Sequence, residues 1–148
     1  DKLKEVAAAT GATVVDSKVL YDMPMDIYAP CALGATINDQ TIDRLTCRVI
    51  AGGANNQLED EAKHGKILME KGIVYAPDFL INAGGIINVY GEIVKYGKDQ
   101  AMKMTENIYN TTLEIFNFAE VNNMTTQQAA MQIAQNRIDQ RKKENAAK

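Results

Sequence analysis

Residues 73–89 decide the fold, and they run Ile-Val-Tyr-Ala-Pro-Asp-Phe-Leu-Ile-Asn-Ala-Gly-Gly-Ile-Ile-Asn-Val. The apolar, β-branched start predicts a buried strand, which Pro77 ends because proline cannot donate a hydrogen bond within a sheet. After Gly84 and Gly85 the apolar residues recur at helical spacing. A strand, a polar Asn82, two glycines and a helix are the parts from which an α/β sheet builds a ligand site at a strand's carboxyl end.

Outward from this stretch, the chain alternates predicted strands and helices, which is the pattern of βαβ units around a parallel sheet. We predict helices at residues 2–10, 37–45, 58–71 and 98–121, and strands at residues 13–15, 25–29, 48–51 and from residue 73 onward. A last helix is predicted after Thr125, which can form a capping box with Gln128. The predicted fold class is therefore α/β with C-terminal α-helices.

Small and amide residues follow these predicted strands at three places. The segments are 29–32 (Ala-Pro-Cys-Ala), 52–56 (Gly-Gly-Ala-Asn-Asn) and 82–85 (Asn-Ala-Gly-Gly). Parallel strands end at one edge of their sheet, so we expect the three segments to lie side by side. An amide side chain both donates and accepts hydrogen bonds, which suits a carboxamide or a carboxylate. Plain turns would need glycine but no repeated amide, so the pattern favours a ligand-binding edge.

Composition restricts the class of protein. The chain has 148 residues and a formal net charge of −3, which is the size of one domain and gives no support for binding nucleic acid or an anionic membrane. Its apolar runs are too short to cross a bilayer. Cys31 and Cys47 are predicted to be buried, reduced thiols of a cytoplasmic protein, and His64 has no metal-ligand spacing around it. Because the chain starts at Asp1 within a predicted helix, we interpret it as part of something longer.

The sequence motifs carry a family resemblance. In order they are Ala-Pro-Cys-Ala-Leu-Gly (29–34), Ile-Asn-Asp-Gln-Thr-Ile (37–42), Val-Ile-Ala-Gly-Gly-Ala-Asn-Asn-Gln-Leu (49–58) and residues 72–89. Together they resemble the Glu/Leu/Phe/Val amino-acid dehydrogenase family, and most closely its leucine-specific branch. The resemblance implies part of a Rossmann-type, doubly wound, mostly parallel sheet. Residues 1–97 would form the second half of a dinucleotide-binding domain, and residues 98–148 its C-terminal helices.

The same resemblance implies an activity and its residues. The reaction would be reversible, NAD-dependent oxidative deamination of a branched-chain, leucine-like L-amino acid to a 2-oxo acid and ammonia. No catalytic residue is assigned in this chain, because the family carries its catalytic lysines and aspartate on a preceding domain. The implied cofactor-binding residues are Ala29, Pro30 and Cys31 on the adenosine-ribose side, with Asn55 and Asn82 at the nicotinamide. The implied substrate-binding residues are Asn82, Ile86 and Val89.

Several alternatives stay open from the sequence. A Gly-x-Gly-x-x-Gly turn, which seats a pyrophosphate on a helix N-terminus, does not occur in the 148 residues, so we expect the isolated chain to be inactive. Asp1 falls about four residues too late for the ribose-binding acid, so it is not assigned and NADP remains an alternative to NAD. Phenylalanine, valine or glutamate are alternative substrates, and a non-catalytic α/β binding or assembly module is an alternative function. The family also implies a homo-oligomer.

Overall fold

A computed structural model describes residues 2–147 of the chain, and a small parallel sheet in that range is followed by helices. The strands are β1 (Ile27–Tyr28), β2 (Val49–Ile50) and β3 (Val74–Tyr75). The helices are α1 (Lys2–Thr10), α2 (Glu61–Glu70), α3 (Asp78–Ile81), α4 (Gly84–Val94), α5 (Lys98–Glu106), α6 (Ile108–Val121) and α7 (Thr126–Ala146), with a 3₁₀ turn at Leu20–Asp22. The predicted α/β class with C-terminal helices is confirmed.

The sheet orders its strands β1-β2-β3, and both pairs are parallel. The register aligns Tyr28 with Ile50 and Ile50 with Tyr75, and all three side chains are buried in the main core. Burial raises the pKa of Tyr28 to about 12, so its phenol stays neutral. Because the strands are parallel neighbours, their carboxyl ends meet at one edge.

Helix α2 returns the chain to that sheet through well-defined caps. The Asp60 side chain accepts from the backbone N–H of Lys63 at 2.8 Å and begins the helix. At its end Gly72 has a φ of +69°, and the N–H of Ile73 donates to the carbonyl of Leu68 at 2.9 Å. This is a Schellman motif, for which glycine is the favoured residue. It directs the chain straight into β3.

The C-terminal helices are tied to the sheet by the start of α7. Thr125 and Gln128 form the predicted capping box, with reciprocal bonds of 3.2 Å and 3.0 Å. Next to it, the Thr126 hydroxyl donates to the carbonyl oxygen of Tyr75 in β3 at 2.7 Å. A second apolar cluster joins α6 and α7; its buried members are Ile115, Ala119, Ala129, Ala130 and Ile133.

Two elements predicted in the first third of the chain, the strand at residues 13–15 and the helix at residues 37–45, are wrong. Residues 13–15, all within the described range, form no strand, and Val14 is 55% exposed. A β-branched triplet such as Thr-Val-Val becomes a strand only when a neighbouring strand pairs with it, and its sequence does not reveal the neighbour. Residues 37–45 form successive turns in place of a helix. There Asn38 Oδ1 accepts from the N–H of Gln40 at 2.9 Å, and the Thr41 hydroxyl donates to the Thr36 carbonyl at 2.6 Å. Such bonds from short polar side chains compete with helix formation.

Two further predicted helices have different bounds. The helix predicted over residues 58–71 starts later, because Asp60 caps it. The long helix predicted over residues 98–121 is the pair α5 and α6, which meet at Asn107. Two residues earlier, the Thr105 hydroxyl donates to the Ala101 carbonyl at 2.9 Å. Back-bonding of this kind bends helices, and apolar periodicity alone does not report it.

Candidate functional site

The carboxyl ends of β1 and β2 are pressed against each other. A Cβ atom built on Gly52 would lie 2.2 Å from the Pro30 carbonyl oxygen, so a side chain cannot be placed there without moving backbone. The N–H of Ala54 donates to that same oxygen at 2.9 Å. Pro30 is buried, whereas Ala29 and Cys31 beside it are exposed. Glycine at position 52 is therefore required by the close approach of the two strand ends.

The two amides singled out by the sequence contact each other at this edge. Asn82 Nδ2 donates to Asn55 Oδ1 at 2.5 Å and lies 3.4 Å from the carbonyl oxygen of Gly53. Asn55 is exposed and Asn82 is half-buried. This bond uses the amino group of Asn82 and the oxygen of Asn55. The oxygen of Asn82 and the amino group of Asn55 are outside it and can serve a neutral or anionic ligand group.

Asn82 reaches the edge by a different route from the one predicted. We expected it directly at the end of β3, but the one-turn helix α3 intervenes. Pro77 ends the strand, and its carbonyl accepts from the N–H groups of Leu80 (3.0 Å) and Ile81 (3.2 Å), which starts the turn. Asn82 therefore extends from the end of that turn toward the segment that follows β2.

Two buried polar residues that the sequence does not single out, Gln57 and Asp78, support this arrangement. Gln57 is fully buried, and its Nε2 donates to the carbonyls of Gly52 (2.6 Å) and Ala54 (2.9 Å). Its backbone N–H donates to Asp78 Oδ2 at 3.0 Å. Burial, followed by the nearby Asp78 carboxylate, raises the pKa of Tyr75, so that phenol stays protonated. Their signal in the sequence is a polar residue that follows a predicted strand, directly after Pro77 for Asp78 and at the end of the 52–57 loop for Gln57.

Ile86 and Val89 lie on α4, on the segment that follows Asn82. Their side chains are 70% and 56% exposed, and a spacing of three residues puts them on one side of the helix. Exposed apolar side chains next to a polar amide can contact an apolar part of a ligand whose polar end the amide holds.

The cysteines differ from the prediction in one respect. Cys47 is buried as predicted, and burial raises its pKa. Cys31 is exposed, because it extends past Pro30 at the end of β1 and is not part of the core. Its Sγ accepts from the N–H of Gly53 at 3.4 Å. Both thiols are unpaired.

His64 has a structural role at the start of α2. Its Nδ1 accepts from the backbone N–H of Asp60 at 3.0 Å, so in the neutral ring Nε2 carries the proton and faces Asp39 Oδ1 at 3.0 Å. Hydrogen bonds from Lys63 and then His64 hold the pKa of Asp39 below its ordinary value. Among residues 2–147, no group of three or more His, Cys, Asp or Glu side chains is arranged to hold a metal ion.

Two other features lie apart from this edge. A cavity of about 480 Å³ lies between α2, β3 and the α6–α7 connection, and its lining includes none of the residues assigned to the candidate site. Within the described part of the chain, every helix is too short or too polar to cross a membrane.

The fold and its edge define a class of protein. A parallel sheet followed by helices, with a close-approach glycine and amides at its strand ends, is typical of part of a Rossmann-type fold, in which ligands bind at the carboxyl ends of the strands. The chain belongs to the Glutamate/Leucine/Phenylalanine/Valine dehydrogenase family, whose model matches residues 1–146. This confirms the family that the sequence motifs resemble.

The chain is also similar to individual members of this family. The chain is 48% identical over 142 residues to L-tryptophan dehydrogenase of Nostoc punctiforme, covering 96% of this chain and 40% of that protein. It is 52% identical over 133 residues to leucine dehydrogenase of Thermoactinomyces intermedius, covering 90% and 36%. The crystal structure of L-tryptophan dehydrogenase from Nostoc punctiforme matches with a TM-score of 0.91 and 48% identity, over 96% of this chain and 42% of that one. The chain thus spans about two fifths of these relatives.

Proposed function

We propose that this chain forms the nicotinamide side of the cofactor cleft in an NAD-dependent amino-acid dehydrogenase. The reaction is reversible oxidative deamination of a branched-chain L-amino acid to its 2-oxo acid and ammonia. In this proposal residues 1–97 are the second half of the dinucleotide-binding domain, and residues 98–148 are C-terminal helices of the same domain. The observation that carries the proposal is the contact between Asn55 and Asn82 at the carboxyl edge of the sheet.

The chemistry of the edge fits a nicotinamide dinucleotide. When bound, that cofactor takes up hydride from the α-carbon of the amino acid. Gly52 lets the ends of β1 and β2 pack together, and Gly53 beside it is exposed, so backbone at the strand ends is accessible to a cofactor. Asn55 and Asn82 supply donors and acceptors for the carboxamide and its ribose. The adenosine-ribose side is assigned to Ala29, Pro30 and Cys31.

A second role for Asn82 concerns the substrate. Its amino group can turn one N–H from the long 3.4 Å contact with the Gly53 carbonyl to the amino-acid carboxylate, which only accepts hydrogen bonds, while Ile86 and Val89 receive the apolar side chain. Their exposed, aliphatic surface supports a branched-chain substrate over glutamate, whose carboxylate would be costly to desolvate there. The named relatives act on leucine and on tryptophan, so an aromatic substrate is the competing specificity.

Initial-rate kinetics of the full-length enzyme test this proposal. The panel comprises leucine, valine, phenylalanine, tryptophan and glutamate, each with NAD and with NADP. We expect the highest kcat/KM with leucine and NAD. A preference for tryptophan would overturn the branched-chain assignment alone. Cofactor binding without turnover of any amino acid would indicate a non-catalytic module, and the dehydrogenase proposal would fail.

Compartment and assembly are part of the same proposal. Two unpaired thiols are typical of proteins kept in a reducing compartment, which supports the cytoplasm. The full-length enzyme is proposed to be a homo-oligomer, and sedimentation equilibrium measures that directly.

Cys31→Ala should leave deamination mostly intact. The thiol accepts one long bond from Gly53 and has no role in moving protons or hydride in this proposal. We expect a stability loss of about 1 kcal/mol, which is typical of point changes, measured by urea unfolding. A folded Cys31→Ala enzyme without activity would show that thiol chemistry takes part.

A further inference from the structure

A buried hydrogen-bonded pair links the two segments that carry the amides. Asn55 lies on the loop formed by residues 52–57, and Asn82 lies at the end of α3. These segments belong to different strand ends. The backbone N–H of Gln57 donates to Asp78 Oδ2 at 3.0 Å and joins them beneath the exposed edge.

Gln57 folds the loop onto itself. Its Nε2 donates to the carbonyls of Gly52 and Ala54, at 2.6 Å and 2.9 Å. Both partners are acceptors, so only the amino end of the amide can face them. Because Asn55 directly follows Ala54, these two bonds fix the position of the Asn55 backbone within the loop.

Asp78 makes the corresponding hydrogen bonds at the start of α3. It is only 7% exposed, and its Oδ1 accepts from the N–H of Phe79 at 2.7 Å while Oδ2 accepts from Gln57. Its own carbonyl accepts from the N–H of Asn82 at 3.0 Å. One residue therefore contacts the loop through its side chain and Asn82 through its backbone.

We infer that Gln57 and Asp78 are positioning residues, which fix Asn55 and Asn82 at their mutual distance before the cofactor binds. The inference rests on the proposed function and adds residues that do not themselves touch the cofactor. Binding groups held in place by buried, hydrogen-bonded supports lose less conformational freedom when the ligand arrives. Without the link, the two amides would be held to each other mainly by their own exposed contact.

Asp78→Asn in the full-length enzyme is the primary test. Asparagine has nearly the same volume as aspartate, but its amino group would face one of the two backbone N–H donors, those of Gln57 and Phe79, and cannot accept from it. One of these two hydrogen bonds is therefore lost. We expect KM for NAD to rise about tenfold and kcat to fall by less, since saturating cofactor reorders the loop. A merely structural role would lower the active fraction, and so kcat, with KM unchanged; that result overturns the inference.

A double-mutant cycle with Asn55→Ala separates positioning from an independent effect. If Asp78 acts through Asn55, titration calorimetry should give the Asp78→Asn/Asn55→Ala double variant the same NAD affinity as Asn55→Ala alone. Additive losses would contradict the inference. If Asp78→Asn does not fold, Gln57→Met, which removes only the bonds to Gly52 and Ala54, enters the same cycle.

The control is Thr125→Ala, which removes the cap of α7 and none of the bonds of the loop. It should lower Tm and leave the NAD affinity within about twofold of wild type. A wild-type enzyme that does not bind NAD would overturn the proposed function, and this inference with it. A wild-type enzyme that binds NAD, with Asp78→Asn unchanged in affinity, would overturn this inference alone.

Discussion

Replacing Asn82 with alanine in the full-length enzyme is expected to lower kcat/KM for the amino acid by roughly ten- to thousand-fold. Asn82 is half-buried and contacts Asn55 at 2.5 Å, so its amide is held at one position. In the proposed function it orients either the nicotinamide carboxamide or the substrate carboxylate. One well-placed polar contact of this kind contributes about 1.5–4 kcal/mol to the transition state. Steady-state kinetics with leucine and NAD measure the effect.

Asn122→Ala is the matched control for that experiment. Asn122 carries the same side chain at the end of α6, where its Nδ2 donates to the Phe118 carbonyl at 2.8 Å. Its loss should leave kcat/KM at the wild-type value. If Asn82→Ala also stayed within about threefold of wild type, Asn82 would have to be removed from the site.

The 148 residues expressed alone should have no dehydrogenase activity and should bind NAD in the millimolar range or more weakly. Their sequence contains no Gly-x-Gly-x-x-Gly turn, the element in which helix N–H groups and the helix dipole meet the cofactor's phosphates. Losing such an anchor costs several kcal/mol, and each 1.4 kcal/mol weakens binding tenfold. The described residues also include no side chain to which we assign the catalytic base.

Calorimetric titration of the isolated chain with NAD, and an activity assay with leucine, test this expectation. The full-length enzyme is the positive control, and circular dichroism of the isolated chain confirms that it is folded. A micromolar dissociation constant, or any turnover, would mean that the chain holds a complete site.

Sequence predicted well the parts of the fold that local chemistry decides. Pro77 ends β3, and Thr125 with Gln128 caps α7. Each of these needs only a few neighbouring residues. The expectation that Asn55 and Asn82 lie together follows from the shared edge of parallel strands, and the structure places them in contact.

The features that were predicted wrongly or not predicted all depend on tertiary contacts. Ile37 was expected to begin a helix, but it forms an isolated parallel bridge with Leu58, a partner that periodicity does not identify. Cys31 was expected to be buried, and its exposure depends on how β1 ends against Gly52. The burial of Gln57 and Asp78 likewise depends on tertiary packing, so the sequence did not predict it. A polar residue near a strand end is usually solvated, and only packing shows that these two are buried.

A crystal structure of the full-length enzyme with NAD bound is the decisive measurement for the proposed cofactor cleft. We expect the nicotinamide ring at the carboxyl edge of the sheet, with Asn55 and Asn82 within hydrogen-bond distance of its carboxamide or ribose. We also expect Ala29, Pro30 and Cys31 along the adenosine ribose. A nicotinamide bound away from this edge, with neither amide in contact, would overturn the proposed cleft.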